Sequence, residues 1–172
     1  MSTRATPGAK RAAVLYWSRF GTTAVIARAI EQGLGEAGLD TTLLKTDYVE
    51  PESLKHYDLI CLGGPTEKFG ANAPIRDFLR STGSVRLEGK LAFAFDTKYH
   101  SRFSGSAAKY IEGALDDQGL RIISTRESAI VTSQREGGKV VGALLQGGEI
   151  EKFKGLGLKI GAKAAEFMTV VA

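Results

Sequence analysis

Three short stretches of the chain concentrate side chains able to grip a ligand. In the first, Ser18-Arg19-Phe20-Gly21-Thr22-Thr23, hydroxyls and a guanidinium flank a glycine and run straight into a helical pattern. Unpaired backbone N–H groups and the positive end of the helix dipole converge on such a loop, so a phosphate would bind there. Arg19 and the hydroxyls of Ser18, Thr22 and Thr23 would add donors, and Gly21 would let the backbone approach without a Cβ in the way. Plain helix capping by Ser18 and the threonines accounts for the same residues, and this loop by itself does not separate the two readings. The second stretch, Gly63-Gly64-Pro65-Thr66-Glu67-Lys68-Phe69-Gly70, wraps turn-forming residues around one aromatic ring, and they would shape a turn whether or not Phe69 meets a ligand. The third runs from Asp96 through Thr97, Lys98, Tyr99, His100, Ser101, Arg102, Phe103 and Ser104 to Gly105, interleaving aromatics with cations.

Elements of a particular kind are needed to bring these stretches together. Ala12–Trp17 is a continuous apolar run, the pattern of a strand buried on both faces. Val25, Ile26, Ala29, Ile30, Gly33, Leu34 and Ala37 then recur as the stripe of an amphipathic helix, which Gly38 stops. The pattern predicts further strands at Thr41–Lys45, Asp58–Leu62, Leu91–Phe95 and Leu120–Ser124, and helices at Ile75–Arg80 and Ala107–Leu115. Phe153, Leu156, Ile160, Ala164 and Phe167 mark a terminal helix. Five strands alternating with helices imply an α/β doubly wound parallel sheet covered on both faces. Residues 126–148 fit less cleanly: Ser128–Thr132 reads as a strand continuation and Glu136–Gly142 as a Gly-rich, hairpin-like piece. Ligands of such sheets bind outside the carboxyl ends of the strands, which is where all three stretches fall.

Composition narrows the function classes. A chain of 172 residues with 43% hydrophobic content can bury one core without disulfides or metal, so residues 12–170 are expected to form a single domain behind an arm at 1–11. The net charge of +4 and pI near 9.2 come from Lys and Arg spread along the chain, which suits an anionic cofactor or an acidic protein partner better than nucleic acid. One cysteine and two distant histidines give no metal-ligand spacing. Cys61, inside an apolar strand, reads as a core thiol, and His56 and the Asp116-Asp117 pair as surface residues. No run long enough to span a membrane and no signal-peptide pattern is present, so a reducing cytoplasm is expected. The first strand is followed by no Walker A loop, no G-x-G-x-x-G and no nucleophile elbow, which counts against kinase, dehydrogenase and hydrolase chemistry.

Tyr16-Trp17-Ser18 followed by x-x-Gly-x-Thr resembles the FMN phosphate loop of short-chain flavodoxins, in which Phe20 replaces a usual hydroxyl and Thr22 a frequent Asn. Gly63-Gly64-Pro65-Thr66 is similar to the flavin-flanking loop of flavodoxins and related quinone reductases. The longer run to Gly70, with Phe78-Leu79, resembles the tryptophan-repressor-binding-protein family. Gly147-Gly148-Glu149-Ile150 resembles the segment that opens the terminal helix in flavodoxin-like chains, so the likeness runs from about Ala12 to Phe167. The resemblance implies strand order 2-1-3-4-5 and FMN as cofactor. It places Phe69 against the isoalloxazine, Gly70 near flavin N5 and Tyr99 as a second stacking ring backed by His100 and Phe103. Pro65, Thr66, Glu67, Asp96, Thr97, Lys98 and Gly105 complete the expected cofactor contacts.

The function so implied is a one-electron FMN carrier that exchanges electrons with redox proteins, as a monomer or small homo-oligomer, and needs no side-chain acid or base. The cations of the third loop predict a less negative low potential than an acidic flavodoxin has. The alternatives on the same fold are an FMN-dependent NAD(P)H:quinone-type oxidoreductase and a flavin-free binding module.

Overall fold

The computed structural model describes residues 8–101 and 104–169. Strand β1 (Arg11–Tyr16) leads to helix α1 (Thr22–Glu36) and strand β2 (Asp40–Lys45). Two short 3-10 turns then precede β3 (Leu59–Glu67), β4 (Gly70–Ala71) and α2 (Ala73–Thr82). Next come β5 (Leu91–Tyr99), α3 (Ala107–Asp117), β6 (Arg121–Ile122), β7 (Glu127–Glu136), β8 (Lys139–Leu145) and α4 (Glu149–Thr169). The main sheet runs β2-β1-β3-β5-β7-β8, with β4 paired to β3 and β6 to β5.

The unbroken apolar run of β1 has a simple cause. Ala13 and Leu15 enter a core built with Ile75, Phe78 and Leu79 of α2 and Ile111 and Leu115 of α3. Ala12 and Val14 enter the opposite core, with Ile26, Ile30 and Leu34 of α1 and Phe153, Ile160 and Ala164 of α4. A strand buried on both faces has no polar side to show. On the second face α1 and α4 touch backbone to backbone. A Cβ on Gly33 would collide with the Lys154 carbonyl oxygen, and one on Gly157 with that of Ile30.

The doubly wound sheet and its order match the sequence reading, with one correction and one extension at the far edge. The fifth strand expected at Leu120–Ser124 shrinks to Arg121–Ile122, which pairs only with Leu91 and Ala92. The chain then steps away, Arg126 being held by the Glu112 carboxylate through both its backbone N–H and its guanidinium, and β7 takes over the pairing along Phe95–Tyr99. Residues 126–148, read as a strand continuation at Ser128–Thr132 and a hairpin-like piece at Glu136–Gly142, contain a long antiparallel hairpin of β7 and β8, closed by Gly137 and Gly138 at φ 55° and 79°. Positive φ at two successive residues is what a two-residue hairpin turn demands, and a glycine pair supplies it without strain.

Candidate functional site

The turn from β1 into α1 is made by Trp17–Gly21. Ser18 Oγ accepts from the Gly21 N–H at 3.0 Å, closing the turn, and Gly21 sits at φ 90°. No side chain caps α1 and no acidic residue occupies its first turn, whereas Asn72 caps α2 and Ser106 caps α3. The first-turn N–H groups of α1 are therefore left for an external acceptor. The Thr23 hydroxyl is buried against that of Thr97 at 2.8 Å, tying the helix start to β5, while that of Thr22 has no hydrogen-bond partner among the described residues.

Arg19 takes a different place from the one its loop suggested. Its Nε and Nη2 donate to the two oxygens of Glu67 at 2.5 and 2.9 Å, and the guanidinium lies 5.3 Å over the Trp17 ring. The hydrogen bond and the charge of Glu67 raise the Arg19 pKa above its ordinary value. A carboxylate within reach satisfies the fork, so Arg19 clasps the first loop to the end of β3.

Strands β3 and β4 form a hairpin in which Thr66 faces Ala71 and Glu67 faces Gly70. Its turn residues, Lys68 and Phe69, lie at φ 47° and 71°. Neither is a residue that adopts such a conformation freely, and each costs on the order of 1 kcal/mol or more. The turn holds Phe69 outward, 75% exposed. The third loop closes on the same backbone: Gly105 sits at φ 71°, and a Cβ there would collide with the Phe69 carbonyl oxygen.

Asp96 is the anchor between these loops. Its Oδ2 accepts from Thr66 Oγ1 at 3.0 Å, Ser106 Oγ at 2.8 Å and the Ala108 N–H at 2.9 Å, while Thr66 Oγ1 itself accepts from the Ala107 N–H at 2.8 Å. Asp96 is fully buried, and its Oδ1 has no hydrogen-bond partner among the described residues. Expected as a cofactor contact, it instead turns inward to the start of α3, where its charge suits the helix dipole. Lys98 closes the loop by donating to the Gly105 carbonyl at 2.7 Å.

Around these loops opens a cleft of about 700 Å³, within the range of small-molecule sites. Of the residues singled out from the sequence, Arg19, Phe20, Thr22 and Thr23 line it from the first loop, and Pro65, Thr66, Glu67 and Phe69 from the second. Thr97, Lys98 and Tyr99 line it from the end of β5. Ser18, Gly21, Asp96 and His100 lie off its wall, and Gly70 and Gly105 face a neighbouring groove beside α3. Phe103, with Arg102, lies outside the described residues. Sequence reasoning missed Lys68, Ser104, Val131, Val140 and Ala143, which also line the cleft. Three of those come from the β7–β8 hairpin, for which the Gly-rich, hairpin-like piece at Glu136–Gly142 was the available signal. Cys61 is fully buried in β3, away from the cleft, and burial pushes its thiol pKa up.

An anionic group would find free N–H donors at α1 here, and an aromatic ring system would find apolar walls with Phe20, Phe69 and Tyr99 at the rim. Residues 14–155 match the sequence profile of the flavodoxin family. The chain belongs to that family. Flavodoxins bind FMN and transfer electrons through it, and the donor set and the walls of this cleft suit that cofactor. Among curated relatives, diflavin flavoprotein A 5 of Nostoc sp. is 36% identical over 113 residues. That match covers 63% of this chain but only 19% of the relative, so this chain spans a small part of the larger flavoprotein. Among solved structures, a flavodoxin from the domain Archaea superposes with TM-score 0.72 at 21% identity, over 90% of this chain and 99% of that one. Rubredoxin oxygen:oxidoreductase from Desulfovibrio gigas superposes with TM-score 0.74 at 16% identity, over 92% of this chain and 37% of that one. Among the described residues, no helix is long and apolar enough to cross a membrane, and no group of three or more His, Cys, Asp or Glu side chains could hold a metal ion.

Proposed function

We propose that this flavodoxin-family chain works as an electron carrier whose FMN lies in the cleft at the carboxyl edge of the sheet. The phosphate is assigned to the α1 N-terminus and the Thr22 hydroxyl, and the ring system to the space between the β3–β4 hairpin and the end of β5. The observation that carries this reading is the convergence of the first two loops and the β5 end on one apolar cleft beside a helix start with no cap. FMN supplies reversible acceptance of electrons when bound. The chain supplies everything else. Phe69 and Tyr99 offer stacking surfaces, and Gly105 holds the hairpin and third loop close together. Lys68 and Lys98 make the local potential positive, which stabilises added negative charge and sets the low potential less negative than an acidic flavodoxin's. The partners that fit the net charge of +4 are redox proteins with an acidic face.

The test is a visible absorption spectrum of the purified protein, followed by titration of FMN fluorescence with the stripped protein. A yellow protein, or saturable quenching at about micromolar concentration or below, is the expected result. A colourless protein that quenches no FMN would overturn the assignment. NAD(P)H consumption dependent on added quinone would show a reductase rather than a carrier.

A further inference from the structure

Strand β7 leaves the sheet partway along its length. Among the described residues it pairs with β5 only over Glu127–Val131 and from Thr132 onward has β8 as its sole strand partner, so the two strands continue as a ribbon beside the cleft. Residues opposite one another in an antiparallel pair share a face. Val131 opposite Leu145, Ser133 opposite Ala143 and Arg135 opposite Val140 therefore lie on one side. Val131, Ala143 and Val140 from that side line the cleft together with Phe20. Arg135 does not reach it and donates instead to the Gly138 carbonyl at 3.3 Å.

The facing of Val140 depends on an irregularity. Between Gln134 and Arg135 the register slips by one residue of β8, from Gly142 to Val140, leaving Val141 without a partner. In a regular ladder Val141 would stand opposite Arg135, and Val140 would face the other side with Glu136. A bulge that re-aims a side chain next to a ligand cleft is a recognised use of this geometry. Val141 and Leu144, 48% and 53% exposed, do not line the cleft.

We propose that the ribbon is a third wall of the cofactor site, and that Val140, aimed by the bulge, is a binding residue that grips the flavin ring system independently of the phosphate. The proposal rests on the FMN reading above. It is tested by titrating stripped wild type, Val140→Asp, Val140→Ala and Val141→Asp with FMN and separately with riboflavin, each followed by fluorescence quenching. Thermal unfolding of the ligand-free proteins runs alongside. An acid set against the ring forfeits an apolar contact and desolvates a charge, so Val140→Asp weakens both ligands by the same factor, about tenfold or more. Val140→Ala weakens both by a smaller, equal factor, and Val141→Asp leaves both within about twofold of wild type. The ligand-free midpoint of each Val140 variant stays near wild type, because the side chain is 39% exposed.

Unchanged binding in Val140→Asp and Val140→Ala would overturn the wall while leaving the FMN reading intact. Loss of FMN but not riboflavin affinity would also overturn it, as would an equal loss in Val141→Asp. If Val140→Asp fails to fold, Val140→Ala decides by the same comparison. A wild-type protein that quenches neither ligand overturns the FMN reading and the wall together.

Discussion

Arg19 spends two of its five N–H donors on Glu67, whose carboxylate also offsets the positive charge an arriving phosphate would meet. Both side chains line the cleft, and the pair is half-exposed at the guanidinium, so the clasp is held only weakly against water. Exposed or half-exposed pairs contribute at most about 1 kcal/mol. Glu67→Gln is therefore expected to leave the urea midpoint almost unchanged while tightening FMN binding roughly two- to fivefold at low salt. Riboflavin affinity should not move, and fluorescence titration of both ligands checks this. Weaker FMN binding in the variant would mean that Glu67 serves to hold the loop rather than to compete for Arg19. Asp96 shows where residue-level reading stops. Its position after an apolar strand was legible, but a side chain at a strand end can turn to the ligand or to the interior. Three donors from Thr66, Ser106 and the α3 backbone settle that choice, and all are brought in by tertiary contact.

The β3–β4 hairpin is the element in which sequence and conformation disagree most. Asn-Gly would suit its turn, and Lys68-Phe69 stands there instead, with the phenylalanine held in solvent beside the cleft. Strain maintained at such a place is the pattern of a site in which stability is given up for function. Phe69→Gly is accordingly expected to raise unfolding stability by about 1 kcal/mol, read by urea denaturation. It should also weaken FMN binding by roughly tenfold, the loss of one aromatic face. A variant with unchanged affinity would remove Phe69 from the site. Elements buried on both faces, β1 above all, were legible because burial leaves an unbroken apolar run. The β7–β8 hairpin was legible only in part, as a strand piece and a hairpin-like turn without extent or pairing, because its strands are half-exposed and mix Ser, Gln, Arg and Gly with valines. Its turn chemistry at Gly137-Gly138 was visible, and its partner strand was not.

At the scale of the whole chain, the proposed carrier role gives the net charge of +4 a consequence for how partners would be met. Steered encounter with an acidic redox protein is accelerated at low ionic strength and screened beyond a Debye length of about 8–10 Å near physiological salt. Stopped-flow reduction by such a protein should slow by about tenfold or more as ionic strength rises from roughly 10 mM to 0.5 M. A rate that rises with salt would reverse the charge assignment. The same scale gives a meaning to the glycine contacts between α1 and α4. The helix that presents the proposed phosphate site is synthesised well before the helix that covers its apolar stripe. Ile26, Ile30 and Leu34 wait for Gly157 and Ile160 to leave the ribosome before their shared core can close. The support of the proposed phosphate site is thereby made to depend on a helix more than a hundred residues further along the chain.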